Sequence, residues 1–362
     1  MRVLALLVSV LLLQAPLVRA QGLPPTRDQL LALLGGYLET LRVQVGIPGM
    51  AAAIVGDTDV IWQQSFGQQD LAAAIPTRTD TPFHFDGLTQ LFTASMVLQC
   101  VDQHRVTLDT PVGVYAPSSP DAASTVAQVL THTSGTPGSL TFSYNIPRLD
   151  SLRFVVETCD ATTFRQAFRA MLERLGMMDS VPGPDAASPT LSNADVATPE
   201  TAARYLGVLG RLATPYSVNA QLAATPSRYS VQTLGAGSGL ISTVLDFAKF
   251  DLAVRQHVLF SADTLAMAWR NPVNANGQLL PHGMGWFVQT YNGEPVVWQF
   301  GIDPNAASSL VLTLPNRNVT LILLANSDGL ANPATLSSPA TLSAGDVTVS
   351  PFARVFLGLV VK

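Results

Sequence analysis

The sequence predicts an α/β sandwich: an antiparallel sheet flanked by N- and C-terminal helices, with a helical subdomain inserted into the chain between the early and late strands. Three observations predict it. An apolar stripe at helical spacing lies near the start, a hairpin pattern follows it directly, and strand-like runs return late, behind a long helical middle.

The opening helix is read from residues 28–45, where Leu30, Leu31, Leu33, Leu34, Leu38, Leu41 and Val45 recur close to helical spacing on one face and Gly46-Ile47-Pro48 ends the run. Residues 50–55 and 60–66 are short apolar runs separated by Gly56-Asp57-Thr58-Asp59, which supplies the chemistry of a tight turn. From about residue 88 to 212 the pattern becomes helical, as in 91–101 and 164–175, broken by loops containing proline and glycine. Strand-like runs return at 285–290, 296–300, 308–314 and 319–325, with Asn292-Gly293 and Pro315-Asn316-Arg317-Asn318 as turns. Residues 182–199, rich in Pro, Ala, Ser and Asp, are expected to form the most mobile loop. No internal repeat is visible.

The 362 residues are 48% hydrophobic, enough apolar material for a substantial core. Charged residues make up 12% and the formal net charge is -5, so no basic surface is available for a phosphate backbone and nucleic acid is excluded as a partner. Residues 1–20 open on a cation, Arg2, followed by an apolar run over 3–13 and then Val18-Arg19-Ala20, which reads as a secretory signal peptide with residues 21–362 as the mature domain. Gln14 and Pro16 interrupt the apolar run, which falls short of the roughly 20 residues a membrane span requires. No stable span is therefore expected after cleavage, and the protein is expected to be periplasmic or secreted.

The two cysteines, Cys100 and Cys159, would meet an oxidising compartment, and both a disulfide and a pair of small buried hydrophobes remain open readings. The five histidines, His84, His104, His132, His257 and His282, are scattered along the chain without metal-ligand spacing. No metal and no cofactor are expected.

Several segments, taken in order, resemble the β-lactamase-related family of serine hydrolases and penicillin-binding proteins. They are Gly46-Ile47-Pro48-Gly49-Met50-Ala51, Phe66-Gly67, Phe92-Thr93-Ala94, Leu108-Asp109-Thr110-Pro111-Val112 and Val129-Leu130-Thr131-His132-Thr133-Ser134-Gly135. Further on come Leu175-Gly176-Met177, Gly237-Ser238-Gly239-Leu240-Ile241-Ser242-Thr243, Gly285-Trp286 and Leu324-Ala325-Asn326. The resemblance implies a β-lactamase/DD-peptidase-like fold, with the helical subdomain at about 88–212 and the sheet completed by about 285–325.

It also implies where acyl-transfer chemistry would sit. Enzymes of the family carry Ser-x-x-Lys at the start of the first helix of the helical subdomain. Residues three apart share a helix face, so the amine can take the serine proton. The matching stretch here is Asp86-Gly87-Leu88-Thr89-Gln90, in which Gly87 offers no nucleophile and Gln90 no base near neutral pH. The only lysines, Lys249 and Lys362, follow Asp246 and Leu359 by three positions, so Ser-x-x-Lys occurs nowhere in the chain. That conclusion is independent of the resemblance.

The family's second motif, a tyrosine that shuttles a proton, is matched by Tyr144 in Tyr144-Asn145-Ile146, the only retained catalytic candidate. The third motif, Lys-Thr-Gly or His-x-Gly on the strand edging the cleft, is matched by Gln299-Phe300-Gly301, where a neutral amide replaces a cation or imidazole. His132 and Ser134 are too close in sequence to suggest mutual proton transfer, and the segment around Ser238 lacks the glycines of a Gly-x-Ser-x-Gly elbow, having Ala236 and Leu240 there.

The reading that follows is an exported β-lactamase-related pseudoenzyme. Its cleft, formed around Gly87, Tyr144, Gln299 and Gly301, is expected to survive and to bind a small acyl or peptide-like ligand, such as one from the cell wall. Two alternatives stand beside it: an active esterase or peptidase with an unconventional nucleophile, and a structural or interaction protein with an empty cleft. If the cleft is otherwise intact, Gly87→Ser together with Gln90→Lys is expected to restore turnover.

Overall fold

The computed structural model describes residues 26–135, 140–331 and 341–361. The segment read as a signal peptide lies outside the described residues, and among them no helix is long and apolar enough to cross a membrane.

Helix α1 spans Arg27–Gln44 and is opened by a reciprocal cap in which the Thr26 hydroxyl accepts from the Gln29 backbone and the Gln29 side chain returns to Thr26. Strands β1 (Gly49–Val55) and β2 (Val60–Asp70) form the expected hairpin. A two-residue strand β3 (Ile75–Pro76) lies on its outer edge. Late in the chain β9 (Phe287–Tyr291), β10 (Glu294–Asp303), β11 (Ala307–Leu314) and β12 (Val319–Ala325) form a meander. Strand β12 pairs antiparallel with β1, giving a seven-stranded sheet in the order β3-β2-β1-β12-β11-β10-β9.

The central strands are buried on both faces, which explains why β1 and β11 read as continuous apolar runs. Strand periodicity divides their side chains between two cores. Ala52, Trp298, Leu310 and Leu323 pack with Leu34 and Leu38 of α1 and Phe352 and Phe356 of α9 (Pro351–Val360). On the opposite face Ala53, Val297, Val311 and Ile322 meet the helical part of the molecule.

That part lies between β4 (Phe83–His84) and β8 (Leu240–Ser242), which pair with each other and with β5 (Val181–Pro182) in a small sheet. It contains α2 (Thr89–Asp102), α3 (Val126–Leu130), α4 (Leu152–Asp160), α5 (Phe164–Arg174) and α6 (Pro199–Leu209), with β6 (Tyr216–Val218) and β7 (Ala224–Pro226) as a separate hairpin. Helix α7 (Val244–Arg255) packs on β1 and β12, and α8 (Ala262–Ala268) follows it. Residues 183–198, between β5 and α6, hold turns but no helix or strand.

Cys100 on α2 and Cys159 on α4 form a disulfide, with Cα atoms 6.2 Å apart. This settles the question the sequence leaves open in favour of the bridge.

Several segments that carry the family resemblance have visible structural work. Asn326 is fully buried; its amide oxygen accepts from Gly49 N at 2.7 Å and its nitrogen donates to the carbonyls of Gln68 and Gln69, tying together the ends of β12, β1 and β2. Thr243 caps α7 by accepting from Asp246 N. Gly285 has a φ of +101°, where an L residue is strained, and a Cβ there would lie 2.6 Å from the Ala94 methyl.

Candidate active site

The start of α2 is brought against β10 and the loop that holds Tyr144. Residues Asp86–Leu88 form a short 3-10 turn leading into α2, so Gly87 and Gln90 stand on one face of the entrance, three residues apart. On β10, strand alternation sends Trp298 and Phe300 to the α1 and α9 side and turns Gln299 the other way, toward Tyr144 and His282. The Tyr144 loop is held by His132, whose φ is +54°. The His132 carbonyl accepts from Ser143 N at 2.9 Å and its Nδ1 accepts from Asn145 N at 3.1 Å.

These side chains form one continuous hydrogen-bonded chain. Because His132 Nδ1 accepts from Asn145, the ring proton belongs on Nε2, which donates to Gln90 Oε1 at 3.0 Å. Gln90 Nε2 then donates to the Gly87 carbonyl and to the Tyr144 hydroxyl, both at 2.9 Å. Tyr144 donates to Gln299 Oε1 at 3.1 Å, and that oxygen also accepts from Phe300 N at 2.9 Å. Gln299 Nε2 donates to the Gly285 carbonyl at 3.0 Å and to His282 Nε2 at 3.1 Å. The chain ends where His282 Nδ1 donates to the Gly283 carbonyl at 2.7 Å.

One tautomer of each imidazole and one orientation of each amide satisfy every link, so the chain has a single direction and no charge. Its electrostatics agree. Burial depresses His132 to a pKa of about 3, against a weaker opposing effect of its bond to Asn145. Burial, reinforced by the nearby His132, holds His282 well below the ordinary imidazole range. Burial also pushes Tyr144 upward, only partly offset by Gln90. Near neutral pH both histidines are neutral and the tyrosine is protonated.

The backbone closes over the nucleophile position. A Cβ added at Gly87 would lie 2.6 Å from the Phe300 carbonyl oxygen, 3.2 Å from Gly301 Cα and 3.3 Å from the Tyr144 hydroxyl. A Cβ at Gly301 would in turn meet the Phe85 carbonyl at 2.2 Å and Gly87 N at 2.9 Å. Gly87 and Gly301 therefore pack as two backbones in contact, with no room for a serine side chain unless β10 moves.

Beside this contact a chamber of about 220 Å³ remains, lined by Asp86, Gly87, Tyr144, Ser230, Phe300 and Ile302 among others. The expected cleft is thus narrowed. Gln299, placed by the sequence in the ligand cleft, is wholly enclosed and committed to the hydrogen-bonded chain. Gly87 and Tyr144 do face the chamber.

His132 and His282, which sequence spacing leaves apart, come together with ring centroids 4.6 Å apart. No sequence signal points to His282; for His132 the one signal is its place in a Thr-His-Thr-Ser-Gly turn. His132 bonds to Gln90 and Asn145, while the Ala236 carbonyl in the segment before Ser238 accepts from Thr93. Lys249 contacts Asp246 and the Gly176 carbonyl, outside this site.

This architecture, an antiparallel sheet between paired terminal helices and a helical region with the site at the entrance to α2, defines a β-lactamase/DD-peptidase-like fold. The beta-lactamase family profile matches residues 32–346, and the chain belongs to that family of serine hydrolases. Penicillin-binding protein 4 of Amycolatopsis lactamdurans is 29% identical over 109 residues, which is 28% of this chain and 28% of that protein. The octameric penicillin-binding protein homologue from Pyrococcus abyssi superposes with a TM-score of 0.70 at 18% identity, covering 90% of this chain and 77% of its own. The penicillin-binding protein from Bacillus halodurans gives a TM-score of 0.64 at 21% identity, covering 80% and 94%. At these identities the structures speak for the fold alone.

Proposed function

We propose that this protein is an exported, catalytically silent member of the β-lactamase family that binds a small peptide, ester or acyl ligand in the chamber beside Gly87 without turning it over. One observation carries the reading: the positions of nucleophile and base hold Gly87 and Gln90, and Gln90 is spent inside a neutral, fully paired chain of side chains. Covalent acyl transfer needs a nucleophilic side chain and, for a hydroxyl, a group to take its proton. Neither position supplies one.

Export is supported by the amino-terminal pattern and by the Cys100–Cys159 bridge, a bond that persists in oxidising compartments. The alternative, a hydrolase using Tyr144, has in its favour that the tyrosine faces the chamber. Against it, burial raises the Tyr144 pKa, and the hydroxyl is already engaged with Gln90 and Gln299.

The test is direct. The mature protein should neither hydrolyse a chromogenic cephalosporin or an activated phenyl ester nor become labelled by a fluorescent penicillin. Stoichiometric labelling would overturn the reading. Ester turnover abolished by Tyr144→Phe would replace it with the tyrosine hydrolase.

A further inference from the structure

The floor of the chamber is acidic in a way the acyl-transfer site does not explain. Asp86 lines the chamber, is almost completely buried and, among the described residues, is the one charged side chain on its wall. Its Oδ1 lies 3.0 Å from Nδ1 of the fully buried His84, an ion-pair distance off the line of a hydrogen bond. Its Oδ2 has no hydrogen-bond partner among the described residues. A buried carboxylate oxygen without a donor is costly, by about 1–3 kcal/mol or more when charged.

A second buried carboxylate stands close behind. Asp303 accepts from Ser230 N at 2.8 Å and from the Ser230 hydroxyl at 2.6 Å, and Ser230 itself lines the chamber. Tyr229 stacks on His84 with ring centroids 5.0 Å apart and gives its hydroxyl proton to the Ala213 carbonyl. Among the described residues no arginine or lysine pairs with Asp86 or Asp303. Two carboxylates therefore share one imidazole as their nearest basic group.

The environment responds as this count requires. Burial opposes a charge on His84, but Asp86 and then Asp303 outweigh it and raise its pKa. Burial raises Asp86 too, His84 offsets part of that, and Asp303 adds to it. The rest of the wall combines apolar Ile146, Phe300 and Ile302 with the uncharged Tyr144, Ser230 and Ser238, so a carboxylate ligand would find no cation there.

We propose that the chamber selects a small, mainly apolar molecule bearing a primary ammonium group, seated with its cation against Asp86 and its body on Phe300 and Ile302. The inference rests on the reading that this chamber binds a ligand, and it names the chemistry of one end: an amine, where the Lys or His of the family's third motif would favour a carboxylate. An ammonium at the chamber edge of the Asp86 carboxylate would give it a charge-assisted hydrogen bond that no side chain among the described residues supplies.

The experiment compares three probes of similar size, 2-phenylethylamine, 2-phenylethanol and phenylacetate, by isothermal titration calorimetry on the mature protein. The amine should bind at least about ten-fold more tightly than the alcohol, with the carboxylate weakest. Asp86→Asn, which keeps the shape and suits the φ of +44° at this position, should erase the amine's advantage and leave the alcohol little changed. Ile302→Trp should weaken amine and alcohol together by filling the chamber. Equal binding of amine and alcohol, or preference for phenylacetate, overturns the amine site but leaves ligand binding standing. Failure of all three probes, or binding indifferent to Ile302→Trp, removes ligand binding in this chamber and the amine site with it. If Asp86→Asn does not fold, the order of the three probes on the unaltered protein still decides.

Discussion

At residue 87 the missing side chain and its surroundings have become mutually dependent. Glycine lets the Phe300 carbonyl approach to where a Cβ would stand, so a serine would have to displace backbone rather than a yielding side chain. Gln90→Lys would set an ammonium inside a chain whose neighbours, His132 and Tyr144, are held neutral by burial. The double variant Gly87→Ser/Gln90→Lys should therefore remain inert toward an activated ester and lose about 2–4 kcal/mol of stability in urea denaturation, which revises the rescue expected from sequence. Measurable turnover by a folded double variant would show that β10 retreats easily. Tyr144→Phe should cost about 1–3 kcal/mol, because it leaves a donor of Gln90 without its acceptor and breaks the link to Gln299. At this scale the sequence disclosed what is absent: Gly87 and Gln90 cannot supply a hydroxyl and an amine in any fold. It could not disclose His132 and His282, since their meeting is made by a turn and a strand-edge loop far apart in the chain.

Among the elements, strand β10 determines how closed the site is. Sequence reading ends its strand at Phe300 because Gly301 and Asp303 are poor strand formers, yet Gly301, Ile302 and Asp303 continue the ladder opposite Ser309, Ser308 and Ala307. The added residues carry Gly301 onto Gly87 and Asp303 beneath the chamber. Tertiary pairing, invisible in local propensity, thus made the site's back wall. The long strands and α1 were legible because β-branched runs, turn residues and an apolar helical stripe agree there. The two- and three-residue strands β3 to β8 were not, since pieces so short have no period to read. The α2–α4 disulfide acts on the helical part alone. It closes 59 positions of chain, for which loop entropy suggests about 4 kcal/mol, so Cys100→Ala/Cys159→Ala should lower unfolding stability by about 2–4 kcal/mol without disturbing the probe order in calorimetry. A loss below about 0.5 kcal/mol would mean that packing of α2 on α4 already holds the unfolded chain's options to a minimum.

For the whole molecule, the buried imidazoles set the response to acid. His132 and His282 have folded-state pKa values depressed below the unfolded value of about 6.5, so the unfolded chain binds protons that the native chain refuses. Their neutral state contributes its stability in full above about pH 6.5, and that contribution declines as pH falls toward about 3 at His132, by up to about 1.4 kcal/mol per pH unit for each ring. His84 has the opposite sign. Its folded pKa is raised, so its contribution is complete below about pH 6.5 and is lost as pH rises through the folded value. The three together predict a stability maximum around pH 6.5, with the steeper fall on the acid side where two rings act in concert. The acids modify this in two ways. Asp86 and Asp251, raised chiefly by burial, take up protons above the unfolded carboxylate value and there offset part of the histidines' acid-side fall, whereas Asp70 and Asp102, lowered by hydrogen bonds, cost stability only further down. Urea denaturation across the range from about pH 8 to 4.5 should show this asymmetric curve. His282→Gln, which keeps a hydrogen-bonding side chain but cannot be protonated there, should reduce the acid-side slope by about half while leaving the alkaline side in place. An acid slope unchanged in His282→Gln would mean that the chain between the histidines opens to water before either ring is protonated.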